Sequence, residues 1–143
     1  MKINLYRKVN DWLLDYTPFN HWIYFNATPI ISGTVAMNMI PGDRVSKEFI
    51  DGSTQRELTF SIDMVTTYDP AGTSEVNLQA VDEILMFSSW VEEKATNKDF
   101  PDFGDDCKID KIEVLTNVPS MLIDPTNQLA KYQFQAKITY YQD

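Results

Sequence analysis

The stretch Thr54-Gln55-Arg56-Glu57-Leu58-Thr59-Phe60-Ser61-Ile62-Asp63-Met64-Val65-Thr66 decides the fold. Leu58, Phe60, Ile62 and Met64 point one way, whereas Glu57, Thr59, Ser61 and Asp63 point the other. A period of two with one apolar side is the signature of a strand in a sheet with one buried face. Just before it stands Asp51-Gly52, a pair that tolerates positive φ and so predicts a hairpin between strands at 44–50 and 54–66. Far along the chain the same alternation returns. Tyr132, Phe134, Ala136, Ile138 and Tyr140 interleave with Lys131, Gln133, Gln135, Lys137 and Thr139, which predicts a strand over 131–141.

Working outward, residues 34–40 alternate with Val35, Met37 and Met39 on one side, and Pro41-Gly42-Asp43 is expected to turn. Trp22-Ile23-Tyr24-Phe25 predicts a short strand closed by Pro29, and 109–116 predicts another. Two segments have helical spacing instead. Leu5, Val9, Trp12, Leu13 and Tyr16 share one face of a helix over 3–16, which Thr17-Pro18 ends because a residue before proline is driven from the helical region. A second helix, capped by Ser74 or Asn77, runs to about Ala95, with Leu78, Val81, Ile84, Leu85, Ser88 and Val91 as its expected inner stripe. Striped helices and one-faced strands bury each other most simply as an α/β (α+β) domain. The expected form is a mostly antiparallel sheet of about four to six strands with two helices packed on one face. With 143 residues and no linker-like segment, a single domain over 1–143 is predicted.

Bulk properties narrow the function. Hydrophobic residues are 43% and charged residues 23%, values that suit a globular core. Cys107 is the lone cysteine, so no internal disulfide is possible and synthesis in a reducing cytoplasm is expected. Met1-Lys2-Ile3-Asn4 opens no apolar run, which predicts no signal peptide, and no apolar stretch approaches the roughly 20 residues of a membrane span. Against 21 acidic residues stand 12 basic ones, a net charge of −9 that disfavours binding to phosphate backbones. The same charge would suit the wall of a channel through which DNA slides without sticking.

Catalytic chemistry is scarcely provided for. His21 is the only histidine, and with Cys107 it cannot complete a zinc site. Asp102-Phe103-Gly104 matches a kinase tripeptide in letters without the glycine-rich or catalytic loops that give it meaning. Asp99, Asp102, Asp105 and Asp106 lack the spacing of a calcium loop and read as a solvated acidic segment. Asp63, Asp82 and Glu83 are ordinary carboxylates, and a hydrolase would need two of them in one concave pocket. No catalytic, cofactor or metal site is therefore assigned. The aromatic fraction, 13%, is more informative, because aromatic side chains dominate interface energetics. Trp12, Tyr16, Tyr68, Phe100, Phe103 and Tyr141 lie at element ends, in loops or off the main stripes and are candidate interface anchors. Met121 and Leu122 join them from the apolar run between Pro119 and Pro125, which either tucks under its own domain or grips a neighbour.

The order of segments resembles the minor capsid proteins of Gram-positive siphophages, which are similar to the tail terminators of lambda-like phages. The features that carry the resemblance are the first helix ending near Trp12–Tyr16 and the block Phe49-Ile50-Asp51-Gly52-Ser53 running into Thr54–Ile62. The loop Tyr68-Asp69, the helix ending Ser89-Trp90-Val91-Glu92, the Phe100-Pro101 loop and the final strand Lys131–Tyr140 follow in order. The resemblance implies a structural virion protein without catalysis or cofactor, located in the tail at the head–tail junction. It implies a ring, usually a hexamer, that caps the tail tube, stops its polymerisation and joins it to the neck or head-completion protein, with DNA passing through and not specifically bound. Another ring-forming neck, head-completion or tail-tube protein of the same virion is the alternative. The hairpin 44–66 and loops 67–74 and 117–130 are the segments expected to reach a neighbour. A small-ligand binding module, by contrast, would stay a monomer.

Overall fold

The computed structural model describes residues 4–16, 23–27, 32–72, 75–115, 120–124 and 126–143. Its elements are α1 (Leu5–Leu13), β1 (Tyr24–Phe25), β2 (Thr34–Glu48), β3 (Thr54–Thr67), α2 (Glu75–Thr96), β4 (Cys107–Val114), β5 (Ser120–Asp124) and β6 (Leu129–Gln142). Among the described residues these make one six-stranded sheet of order β1-β2-β3-β6-β4, with β5 also paired to β6. All pairings are antiparallel except the short β1–β2 contact. Both helices pack on one face, so the fold is the α+β arrangement that the alternating and striped segments predict.

β3 and β6 form the axis of the sheet. They pair without interruption from Thr54↔Gln142 to Thr67↔Leu129, a ladder on the order of 45 Å long at about 3.3 Å per residue. Because the register matches the pleat, Leu58, Phe60, Ile62 and Met64 share the helix-covered face with Tyr132, Phe134, Ala136, Ile138 and Tyr140, and all nine are buried. Along the far side of β6, β4 and β5 lie end to end. The Leu115 amide, donating to the Gln135 carbonyl at 2.8 Å, continues the ladder between them.

Three expectations are corrected. Pro41-Gly42-Asp43 does not turn the chain. β2 runs through it, and the register jumps from Ile40↔Thr59 to Arg44↔Glu57, so three residues stand opposite Leu58. Beyond Met37 no outer strand pairs with β2 among the described residues, and an edge bulge is where a strand can accept proline, which has no N–H to give the ladder. The described part of the segment 117–130 is not a free loop either. Ser120–Asp124 adds a strand to β6, and a turn at Thr126–Gln128 leads into β6 itself.

The third correction concerns α2. Its buried stripe is Ala80, Ile84, Phe87 and Val91, so Ile84 and Val91 of the expected set are buried and the rest are not. Leu78 and Leu85 are exposed, and Val81 and Ser88 are only half-buried. Apolar residues occur nearly all round this helix, so spacing alone admits two stripes. The bulkier Phe87, which fills the space between Tyr16 and Phe134 at ring-centroid distances of 4.6 and 5.7 Å, determines the rotation. Asn77 does not cap the helix. Its side-chain amide holds the preceding loop instead, accepting from the Asp69 amide at 2.8 Å and donating to the Asp69 carbonyl at 2.9 Å. That bond anchors the described part of the 67–74 loop to its own domain. At the other end Lys98, at φ 56°, closes the helix, with its amide on the Ala95 carbonyl and the Asp99 amide on that of Lys94.

α1 agrees with the reading, although it stops three residues sooner. Asn4 caps it by accepting from the Arg7 amide at 3.2 Å. Val9, Trp12, Leu13 and Tyr16 are buried, and Leu5 packs at the margin of the core.

Candidate interaction surfaces

The aromatic residues fall into three groups. Trp12 and Tyr16 are buried in the chain's own core, where with Phe87 and Trp90 they form a cluster with ring centroids 4.6–5.9 Å apart. The Trp12 indole donates to the Asp99 carbonyl at 2.8 Å and so ties α1 to the loop after α2. Phe103 is equally buried, edge-on to Tyr140 at 5.4 Å. These three are corrected from interface anchors to core residues. Trp12 and Tyr16 continue the apolar stripe of α1 that faces the core, and Phe103 is buried from the loop before β4. Burial pushes the Tyr16 hydroxyl above its ordinary pKa, with the charge of Glu83 adding to the effect.

Phe100 and Tyr141 are half-buried, and with Phe103 they line one open cleft of about 560 Å³, together with Lys98, Cys107 and Lys108. Tyr68 is half-buried against the core, close enough to Tyr132 that its charge adds to burial in raising the Tyr132 pKa. Leu122 alone of the expected anchors is well exposed, at 68%, beside a smaller apolar cavity of about 270 Å³ that Val65, Ile123 and Leu129 share. Met121 pairs with Tyr132 through its backbone, and its side chain lies outside the described residues, as does His21.

No family model matches the chain, and no curated protein matches it.

Spacing did not reveal the most exposed apolar surfaces. At the end of the β2–β3 hairpin, Ile50 is fully exposed and Val45 and Phe49 are exposed. The turn beneath them is closed by hydrogen bonds. The Phe49 amide donates to the Ser53 carbonyl at 2.9 Å, and Gly52, at φ 91°, occupies a conformation that a side chain would strain. The Ser53 amide and hydroxyl donate to the Asp51 carboxylate at 2.9 and 2.6 Å, which lowers its pKa below the ordinary value. Phe49 leans on Tyr141, 6.1 Å between rings. The second surface is the outward side of α2, where Leu78 is 62% exposed and Met86 61%. An apolar residue in a turn, such as Ile50, is the signal in the sequence that pointed to the first. For the second, the signal was the surplus of apolar positions on α2 over what one stripe can bury.

The sheet face opposite the helices is polar yet not fully wetted. Asp63 is only 2% exposed there. Its carboxylate accepts from the Asn38 amide at 2.6 Å and the Gln133 amide at 2.7 Å, with the Lys131 ammonium at 3.8 Å. Asp82 and Glu83 are exposed on α2, on the other side of the sheet, so Asp63 is kept apart from both. In the acidic loop, Asp99 pairs with Lys94 at 2.7 Å and Asp102 accepts from the Gly104 amide at 2.9 Å. Among the described residues no three His, Cys, Asp or Glu side chains gather as a metal site, and no helix is long and apolar enough to cross a membrane.

Proposed function

We propose that this chain is a structural virion protein without catalytic activity, a tail terminator that caps the phage tail tube as a ring and joins it to the neck. One observation carries the reading: the apolar residues left in water lie on dissimilar surfaces, the hairpin end on one side and the outward face of α2 on another. A subunit that joins head to tail into a closed ring needs two different complementary surfaces, whereas a two-fold dimer needs only one. The net charge of −9 favours a pore through which DNA passes without binding. The segment order that resembles the siphophage terminators supports the same assignment.

The test is to add the purified chain to tail-tube protein of the same phage as it polymerises, and to measure tube lengths by electron microscopy. Tubes of arrested length, each ending in one added ring, are expected. Unchanged growth, or incorporation of the chain along the whole tube, refutes the assignment.

A further inference from the structure

We propose that the β2–β3 arm of one copy docks on the outward face of α2 in a second copy; this rests on the ring-forming reading above and names its contact. The arm cannot meet that face within its own chain. β3 is held in the sheet by β6 as far as Thr54↔Gln142, so the turn at 49–53 extends the sheet, whereas Leu78, Leu85 and Met86 lie on the side of α2 turned away from it.

Charge selects the occupant. At 100° per residue, Leu78, Asp82, Leu85, Met86 and Glu93 fall within about a quarter to a third of a turn. The helix carries five acidic residues and the single cation Lys94. The arm departs from the acidic character of the rest of the chain, since residues 44–56 include Arg44, Lys47 and Arg56 against Glu48 and Asp51. Pairing α2 with α2 would set carboxylates against carboxylates around the leucines. Pairing it with the arm places Ile50 and Phe49 on the apolar strip and Lys47 among the acids. Because arm and helix face are different surfaces, each bound copy still offers one of each, and addition continues until it closes on itself.

The experiment is sedimentation of the full chain over graded concentrations, with the variants Ile50→Asp and Met86→Lys. Both substitutions are at exposed positions, and unchanged melting curves check the fold. Wild type is expected to associate beyond a dimer, and each variant to associate at least about tenfold more weakly. An equimolar mixture of the two variants is decisive, because one retains a good helix face and the other a good arm. They should form a dimer that grows no further. Lys47→Glu, at an exposed strand position, should weaken association like Ile50→Asp and be rescued by the same Met86→Lys partner. If wild type associates while the variants do so equally well, or the mixture stays monomeric, the contact is wrong and the ring reading stands. If wild type is monomeric throughout, the contact is also refuted, and arrest of tube growth by that same protein then decides the ring reading separately.

Discussion

Replacing Phe87 by alanine tests the rotation of α2 directly. Phe87 is fully buried and packs against Tyr16, Trp90 and Phe134 at centroid distances of 4.6, 5.9 and 5.7 Å. Its truncation removes the ring's transfer free energy and leaves a cavity that three large neighbours cannot easily fill, a loss of about 3–5 kcal/mol. Leu78, 62% exposed on the same helix, is the control. Truncating a leucine removes about 2.4 kcal/mol when burial is complete, at about 0.8 kcal/mol per CH₂. Only about two fifths of that applies here, and alanine's better helix propensity returns a little, so the net cost stays under about 1 kcal/mol. For a domain of this size a kcal/mol corresponds to about 3–5 °C in melting temperature. Phe87→Ala should therefore melt on the order of 10–20 °C below wild type by circular dichroism, and Leu78→Ala within about 4 °C of it. Equal losses, or the greater loss at Leu78, would refute the placement of the helix stripe.

Other consequences can be checked in the same way. Asp63→Ala deprives the Asn38 and Gln133 amides of their acceptor and leaves Lys131 without its counter-charge. Urea denaturation should show a loss of about 2–4 kcal/mol, smaller for Asp63→Asn because either neighbouring amide can flip to match it. Trp12→Phe removes the indole bond to Asp99 while keeping most of the ring packing, so amide exchange in the 99–104 loop should quicken with a global cost of about 1–2 kcal/mol. Burial raises the pKa of Tyr16 and Tyr132 above 10.0 in the folded chain, so the fold favours their protonated forms. Their contribution is complete below pH 10 and is lost as pH rises through the folded values. Ultraviolet titration of the phenolates should thus find these two ionising after the exposed tyrosines, with stability falling on that side of the pH range.

Much of this architecture is legible in the chain because β3 alternates strictly over 57–64 and β6 over 130–140, and a single register satisfies both. Asp51-Gly52 likewise forms the turn it announces. The misreadings have local causes. Pro41-Gly42 has the composition of a turn, but at a sheet edge the same residues can be absorbed as a bulge, and only the neighbouring strand decides. Ser120–Asp124 is too short and too closely flanked by prolines to declare itself, and β6 supplies its structure. For the surfaces the limit is of another kind. Phe103 lies off any pattern in one dimension but is brought over the core in three, whereas Trp12 and Tyr16 are buried where the stripe of the first helix places them. Ile50, Leu78 and Met86 are left outside by where their elements end or rotate. Burial of a single aromatic residue is a property of the assembled packing, which periodicity does not encode.

The position of β6 also bears on how the molecule is built. It is the strand that β3, β4 and β5 all share, yet it is the last of the six to be synthesised. On a translating ribosome the β2–β3 hairpin can pair early, but the other edge of β3 must wait for β6, so completion of the sheet is postponed to one late, long-range step. Such a topology folds slowly and is prone to aggregate while incomplete. Nascent chains halted before Leu129 should accordingly be open to proteases and chaperones along most of their length.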